Sequence, residues 1–204
     1  MLSGAIAADI LAFWFTDASG VDVDYRTGRK RWFRKSAAFD QQVRQRFEDV
    51  YHGAYGAAIA DPGFLRRLDM GDAASHLALT LLFDQLPRNM FRRTPAAFAA
   101  DPQARAVATQ AIDRGLHQAL PPLRRMFFYF PLEHSESVAD QASSVDLFAA
   151  IAAQASDLQD SYDYALRHQR IIQRFGRFPH RNSILGRRST AAEVRFLKQP
   201  GSSF

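Results

Sequence analysis

A chain of 204 residues has room for one large domain or two small ones, and 47% hydrophobic with 23% charged residues is the make-up of a globular protein with a sizeable core. No cysteine is present, which excludes a disulfide framework, thiolate metal sites and a cysteine nucleophile, and suits a reducing compartment. The net charge of +5 rests mostly on arginine, Lys30, Lys35 and Lys198 being the lysines; the guanidinium fork grips phosphate or carboxylate with two bonds, although a GC-rich genome produces the same bias without any function.

The stretch from Ala5 to Phe15 is as apolar as a signal sequence. It lacks a basic start, carries Asp9 and has no small-residue cleavage site in the right place, so it reads as a mature helix. No apolar run approaches the roughly 18 residues of a membrane span, which points to a soluble, cytoplasmic protein. Between Arg26 and Lys35 six cations surround Trp32 and Phe33. Basic runs with aromatics grip phosphates and stack bases, but the modest excess charge argues against a nucleic-acid partner.

Ser36 precedes a helix running to about Gly53. Asp61-Pro62, Thr94-Pro95 and Asp101-Pro102 each pair a capping oxygen with a proline at the first helical position. From Asp72 to Leu86 the residues Leu77, Leu79, Leu81, Leu82, Phe83 and Leu86 leave little polar face, which marks a helix surrounded by others. Ser156 is placed to cap a segment ending at Gly176, in which Leu158, Tyr162, Ala165, Ile172 and Phe175 form one stripe shared by His168. Thr190-Ala-Ala-Glu193 spells a capping box, and the tail from Pro200 to Phe204 frays unless Phe204 docks. Seventeen phenylalanines favour helix packing around aromatic layers. With no alternating strand pattern, fixed-period repeat or linker, residues 1–204 read as a single all-α domain of antiparallel helical pairs, a bundle or a helical-repeat-like array.

Three polar segments interrupt the apolar helices. In Leu82-Phe-Asp-Gln-Leu-Pro-Arg-Asn89, Asp84 and Gln85 fall in the last turn of the apolar helix, Pro87 stops it, and Arg88 and Asn89 project from the turn; Arg88 satisfying free carbonyls is the plain structural alternative. In Phe127-Phe-Tyr-Phe-Pro-Leu-Glu-His-Ser-Glu136, followed by Asp140-Gln141, Pro131 is expected to open a helix whose first turn holds Glu133, His134, Ser135 and Glu136. His134 between carboxylates is a candidate general acid or base, and Glu136 with Asp140, four apart, shares a face that could ligate a metal. Capping is the competing role. In the third, Arg167-His168 precedes Phe175-Gly-Arg-Phe-Pro-His-Arg-Asn182 and Leu185-Gly-Arg187, so Arg177, His180, Arg181, Asn182 and Arg187 crowd one loop before a capped helix, an arrangement suited to an oxyanion. Those arginines could equally pin the loop to carbonyls. His168, alone on an apolar stripe, is more often a core residue than a catalyst. Zinc-type histidine spacing and Glu-x-x-His pairs are absent, and the residues name no cofactor.

These motifs, with Phe13 to Phe15 and Trp32-Phe33 ahead of Phe39-Asp40, resemble the bacterial family called domain of unknown function 924 nearly end to end. The resemblance implies a helical fold similar to tetratricopeptide-like arrays and brings no particular reaction. It places Asp84, Gln85, Arg88, Asn89, Glu133, His134, Ser135, Glu136, Gln141, His168, Arg177, His180, Arg181, Asn182 and Arg187 at motif positions.

Two readings of function compete. In one, the chain binds or transforms a small phosphorylated or carboxylated molecule: Arg177, Arg181, Arg187 and Arg88 hold the anion, and His134, oriented by Glu133 or Glu136, moves a proton. In the other, a tetratricopeptide-like scaffold docks a partner's peptide in an open groove. The first demands that the three segments meet.

Overall fold

The computed structural model describes residues 2–61, 63 and 72–203. They form helices throughout, the only extended pairing among them being an isolated antiparallel bridge between Thr16 and Asp22. In chain order the helices are α1 (Gly4–Phe15), α2 (Tyr25–Phe33), α3 (Ala37–Ala60), α4 (Ala73–Phe83), α5 (Gln85–Met90), α6 (Asp101–Asp113), α7 (Pro122–Glu133), α8 (Val138–Ala152), α9 (Gln159–Phe175) and α10 (Ala191–Leu197). Single 3₁₀ turns lie at Pro95–Phe98, Leu116–Ala119, Ser156–Leu158 and Pro179–Arg181.

Local chemistry fixes many of the starts. The side chains of Ser3, Asp24, Ser36, Asp72, Ser137 and Thr190 each accept the backbone N–H three residues on, giving a donor at the helix end the partner it otherwise lacks. At Thr190 the capping box is complete, since Glu193 also accepts the Thr190 N–H. Gly176 ends α9 at φ 69°, a left-handed conformation that glycine adopts without strain.

Several boundaries differ from the sequence expectation. Helix α3 continues past Gly53 to Ala60 because Tyr51 and Ala58 stay buried and Tyr51 packs on Phe91, so tertiary contact outweighs the weak helix propensity of Gly53 and Gly56. Thr94 does not cap: its hydroxyl donates to the Phe91 carbonyl, and only a 3₁₀ turn follows. Asp101 lies inside the first turn of α6, after Ala100, with its carboxylate turned to other partners. Ser156 opens a 3₁₀ turn, and α9 begins after Leu158 without a side-chain cap. Pro62 and Phe204, which carry two other expectations, lie outside the described residues.

Helix α4 is the centre. Every residue from Leu77 to Phe83 is buried, and α1, α6 and α7 pack around it. Burying a side chain of this size contributes roughly 1.5–3 kcal/mol each, which explains why a helix without a polar face sits here. Beside it, Trp14, Phe15, Trp32 and Phe127 pack ring against ring, and the Trp32 indole N–H donates to the Trp14 carbonyl at 2.9 Å. The basic run around Trp32 is therefore partly an internal brace: Arg31 donates to the carbonyls of Thr16 and Phe13 and lies over the Phe13 and Phe39 rings. Helices α7, α8 and α9 pack successively, joined by short turns, and a smaller apolar cluster of Ile171, Ile172 and Phe178 anchors the loop after α9.

Candidate active site where three helix ends meet

Asp84 sits at the break between α4 and α5. Its N–H bonds back to Leu81 and Thr80, and the chain re-enters a helix at once. Pro87 does not stop the helix as the sequence suggested; it lies in the first turn of α5, where a missing N–H costs nothing. The break turns the fully buried Asp84 carboxylate inward, where Gln85 Nε2 donates to Oδ2 at 2.6 Å and Arg88 Nη1 lies 3.2 Å from Oδ1. Burial alone would push this carboxyl up. The Arg88 charge and His134 outweigh it and hold Asp84 at about 2, below its ordinary 3.8.

Pro131 does not open a helix either. It lies inside α7, and the buried run Phe127 to Phe130 carries the helix through it. Glu133 and His134 therefore stand at the carboxyl end of α7, where the dipole opposes a carboxylate instead of favouring it. Gln141 Nε2 reaches back from α8 to the carbonyls of Glu133 and Ser135 at 2.6 and 2.7 Å, and Arg181 Nη1 donates to that of His134 at 3.0 Å, so the free end of α7 is satisfied.

At this end His134 Nδ1 lies 2.8 Å from Asp84 Oδ1. The acid that orients His134 is thus Asp84, not Glu133 or Glu136. An anionic carboxylate there fixes the proton on Nδ1 and leaves Nε2 as the basic nitrogen. Burial, followed by the Arg88 charge, lowers the imidazole's affinity for a proton despite Asp84, so the ring is neutral near pH 7. Glu133 faces His168 instead: Oε1 lies 3.0 Å from His168 Nδ1, which also donates to the Tyr164 carbonyl at 2.9 Å. Burial raises Glu133 well above 4.5, reinforced by Asp84, and lowers His168 well below 6.5, so burial disfavours charge on both members of this second acid–imidazole pair. The two imidazole rings meet edge to face at 6.4 Å.

Arg181 arrives on the 3₁₀ turn after α9. Its guanidinium carbon lies over the Phe178 and Phe98 rings, 4.5 and 4.8 Å from their centroids. Asp101 draws the two cations together: its Oδ1 lies 3.0 Å from Arg88 Nη1 and its Oδ2 3.5 Å from Arg181 Nη1. Burial and repulsion from Arg88 lower Arg181 to about 10. Two donors in this pair, Arg88 Nη2 and Arg181 Nε, are buried without a hydrogen-bond acceptor among the described residues.

The other candidates fall outside this centre or brace it. Glu136 accepts Arg187 through both guanidinium nitrogens, at 2.7 and 3.0 Å, and takes the Phe178 N–H as well, while Arg187 Nε donates to Asn182 Oδ1. Asp140 accepts the Ser135 hydroxyl and lies 3.5 Å from Arg105 Nε, so Glu136 and Asp140 both face cations or hydroxyls of the chain itself. No group of three or more His, Asp or Glu among the described residues is arranged to hold a metal ion. Arg177 pairs with Glu193, and Asn89 joins Arg92 on Asp40 at the α3–α5 contact; both lie apart from His134. His180, beside Phe178, is lowered to about 4 by burial and the Arg181 charge. An open groove along α6, lined by Pro102, Arg105, Gln110, Asp113, Arg114 and Asp140, lies beside the centre, with Arg105 donating to the Ser135 hydroxyl. Sequence reading missed Asp101 and Phe98: Asp101 reads only as a helix cap, Phe98 has no mark at all, and neither carries a local signal of its neighbours.

Fold and site define a class: an all-α protein in which two acid–imidazole pairs and two guanidiniums from separate helix ends meet in a largely buried cluster. The chain belongs to the family described as bacterial protein of unknown function (DUF924), whose model matches residues 10–201. A solved structure of a protein of unknown function, ATU0120 from Agrobacterium tumefaciens, is similar at 40% identity over 95% of this chain and 97% of that one, with a TM-score of 0.77. No curated protein matches. No helix among the described residues is long and apolar enough to cross a membrane.

Proposed function

We propose that the protein is an enzyme acting on a small molecule with a carboxylate or phosphate group, holding that group on Arg88 and Arg181 and moving a proton with His134. The observation that carries this reading is the pair of buried, unaccepted donors, Arg88 Nη2 and Arg181 Nε, beside an imidazole oriented by a buried carboxylate. Buried N–H groups almost always have partners, and a cationic donor without one is costly, so an oxyanion is the natural complement. Asp84 anionic on Nδ1 is the arrangement that makes Nε2 a base and stabilises the imidazolium it becomes. The His134 side chain keeps 15% of its surface exposed, and through that part a substrate would meet the imidazole. Arg177 and Arg187, each closed on its own glutamate, have no part in this reading.

The test is titration with inorganic phosphate and with acetate, followed by the imidazole NMR signals of His134. A saturable shift is expected in the native protein and its loss in R88Q and R181Q. No saturable shift with either anion overturns the reading. Turnover of phosphorylated or carboxylated compounds, abolished in a folded H134N, would establish the chemistry.

A further inference from the structure

His134 stands at the inner end of a row of three rings. It stacks on Phe130 at 5.8 Å, with 14° between the ring planes, and Phe130 in turn meets Phe33 edge to face at 5.7 Å. None of the three is sealed. Phe33 is 48% exposed, Phe130 keeps 6% and the His134 side chain is partly open, whereas Phe127 and Phe128 on the same helix have no exposed surface at all. The row therefore follows the boundary between core and solvent, from an exposed phenyl ring to the imidazole.

Phe33 is the last residue of α2. Trp32, one position earlier, turns inward against Trp14 and Phe127. The next side chain points about 100° further round the helix and faces outward. A single apolar residue on a surface is ordinary. What sets Phe33 apart is its inner neighbour, the ring on which His134 stacks. An apolar group laid on its exposed half would be drawn out of water and held two ring contacts from the imidazole.

Resting on the function proposed above, we infer that Phe33 is a specificity-determining residue of that site, taking the apolar, ring-bearing part of a substrate whose anionic group is held by Arg88 and Arg181. Asp84 sets the order of the parts. Its Oδ1 lies 2.8 Å from His134 Nδ1 and 3.2 Å from Arg88 Nη1, so the cation adjoins the Nδ1 edge of the imidazole, while Phe130 lies against the ring face. Anion and ring thus approach His134 from different sides. The substrate class narrows from any small oxyanion to an aryl-bearing acid or phosphate ester.

The experiment follows the His134 imidazole signals by NMR in the full-length protein, titrated with inorganic phosphate, acetate, phenyl phosphate and 6-phenylhexanoate. An aryl compound should bind about tenfold tighter than its parent anion. That is equivalent to roughly 1.4 kcal/mol, as expected for a new aromatic contact and the apolar area it covers. F33A should lose this gain and leave the parent anion's affinity unchanged. F33L, which preserves bulk against Phe130, should retain part of it, and F33Y most of it. Aryl compounds that bind no tighter than their parent anions overturn the inference and leave the oxyanion reading standing, as does a gain that survives unchanged in both F33A and F33L. Aryl binding that needs Phe33 but persists in R88Q and R181Q keeps Phe33 as the aromatic contact and removes the oxyanion reading. No saturable shift with any of the four compounds overturns both.

Discussion

Asp84 Oδ1 and His134 Nδ1, from residues fifty apart in the chain, lie 2.8 Å from each other and join the end of α4 to the end of α7. The bond ties the central helix α4 to an imidazole whose side chain keeps 15% of its surface exposed, and it makes stability and the proposed chemistry depend on one carboxylate.

Replacing that carboxylate by its amide, D84N, removes the charge opposite Arg88 and turns one of the two oxygens facing Gln85 and His134 into an N–H donor. Breaking a buried pair on one side costs about 3–5 kcal/mol. Asp101 still faces Arg88, so the lower end of that range is expected in urea unfolding. Native stability should also depend on acid. Asp84 is depressed from 3.8 to about 2, so its contribution is complete above the unfolded value and lost as pH falls through about 2. The loss over that window should be smaller in D84N, and an identical acid limb in the two proteins would contradict the assignment.

Glu133 has the opposite sign. Burial, aided by Asp84, raises it above its ordinary 4.5, so the folded state keeps a proton that the unfolded chain gives up. Its favourable contribution is present below 4.5 and declines as pH rises towards the folded value. E133Q, which keeps the shape and the acceptor for His168, should match the native protein in melting temperature below pH 4.5 and exceed it at pH 7. A melting temperature lower than native at pH 7 would show that Glu133 is ionised in the fold.

At Gly28 a Cβ would collide with the Trp32 indole, which lies back across the preceding turn of α2 between Trp14 and Phe127. The ring is rigid and enclosed, so it cannot give way cheaply. G28A should therefore cost about 1–3 kcal/mol, the range for overpacked cores, with altered near-ultraviolet circular dichroism from the displaced tryptophans. Unchanged stability would mean that the Trp32 ring has room to move.

Thr190 closes the capping box that starts α10, and Glu193, its reciprocal partner, also receives Arg177. T190A should cost about 1 kcal/mol in unfolding experiments, and T190S much less. A saturable phosphate response at His134, if present, should persist in T190A, because Arg177 pairs with Glu193 away from His134.

The helices were legible because their signals are local. Apolar spacing marked α4 and α9, hydroxyl caps marked Ser36 and Thr190, and Gly176 marked a left-handed end. Where prediction failed, a tertiary contact had overruled the local rule. Pro131 and Pro87 look like boundaries but lie inside helices, the first because the buried aromatics around it hold α7 together. Asp101 has the spacing of a cap, yet its carboxylate finds two guanidiniums.

Composition and periodicity by themselves determined an all-α chain, its most buried helix and the three polar segments, because each depends on neighbours within a turn or two. Which acid meets which imidazole was decided only by packing. Asp84 took His134 and Glu133 took His168, since a side chain one position along a helix points about 100° away, and the partner lies on another helix whose approach no local spacing encodes. The proton affinities followed from the same cause: burial and the charges brought alongside lower Asp84 and raise Glu133.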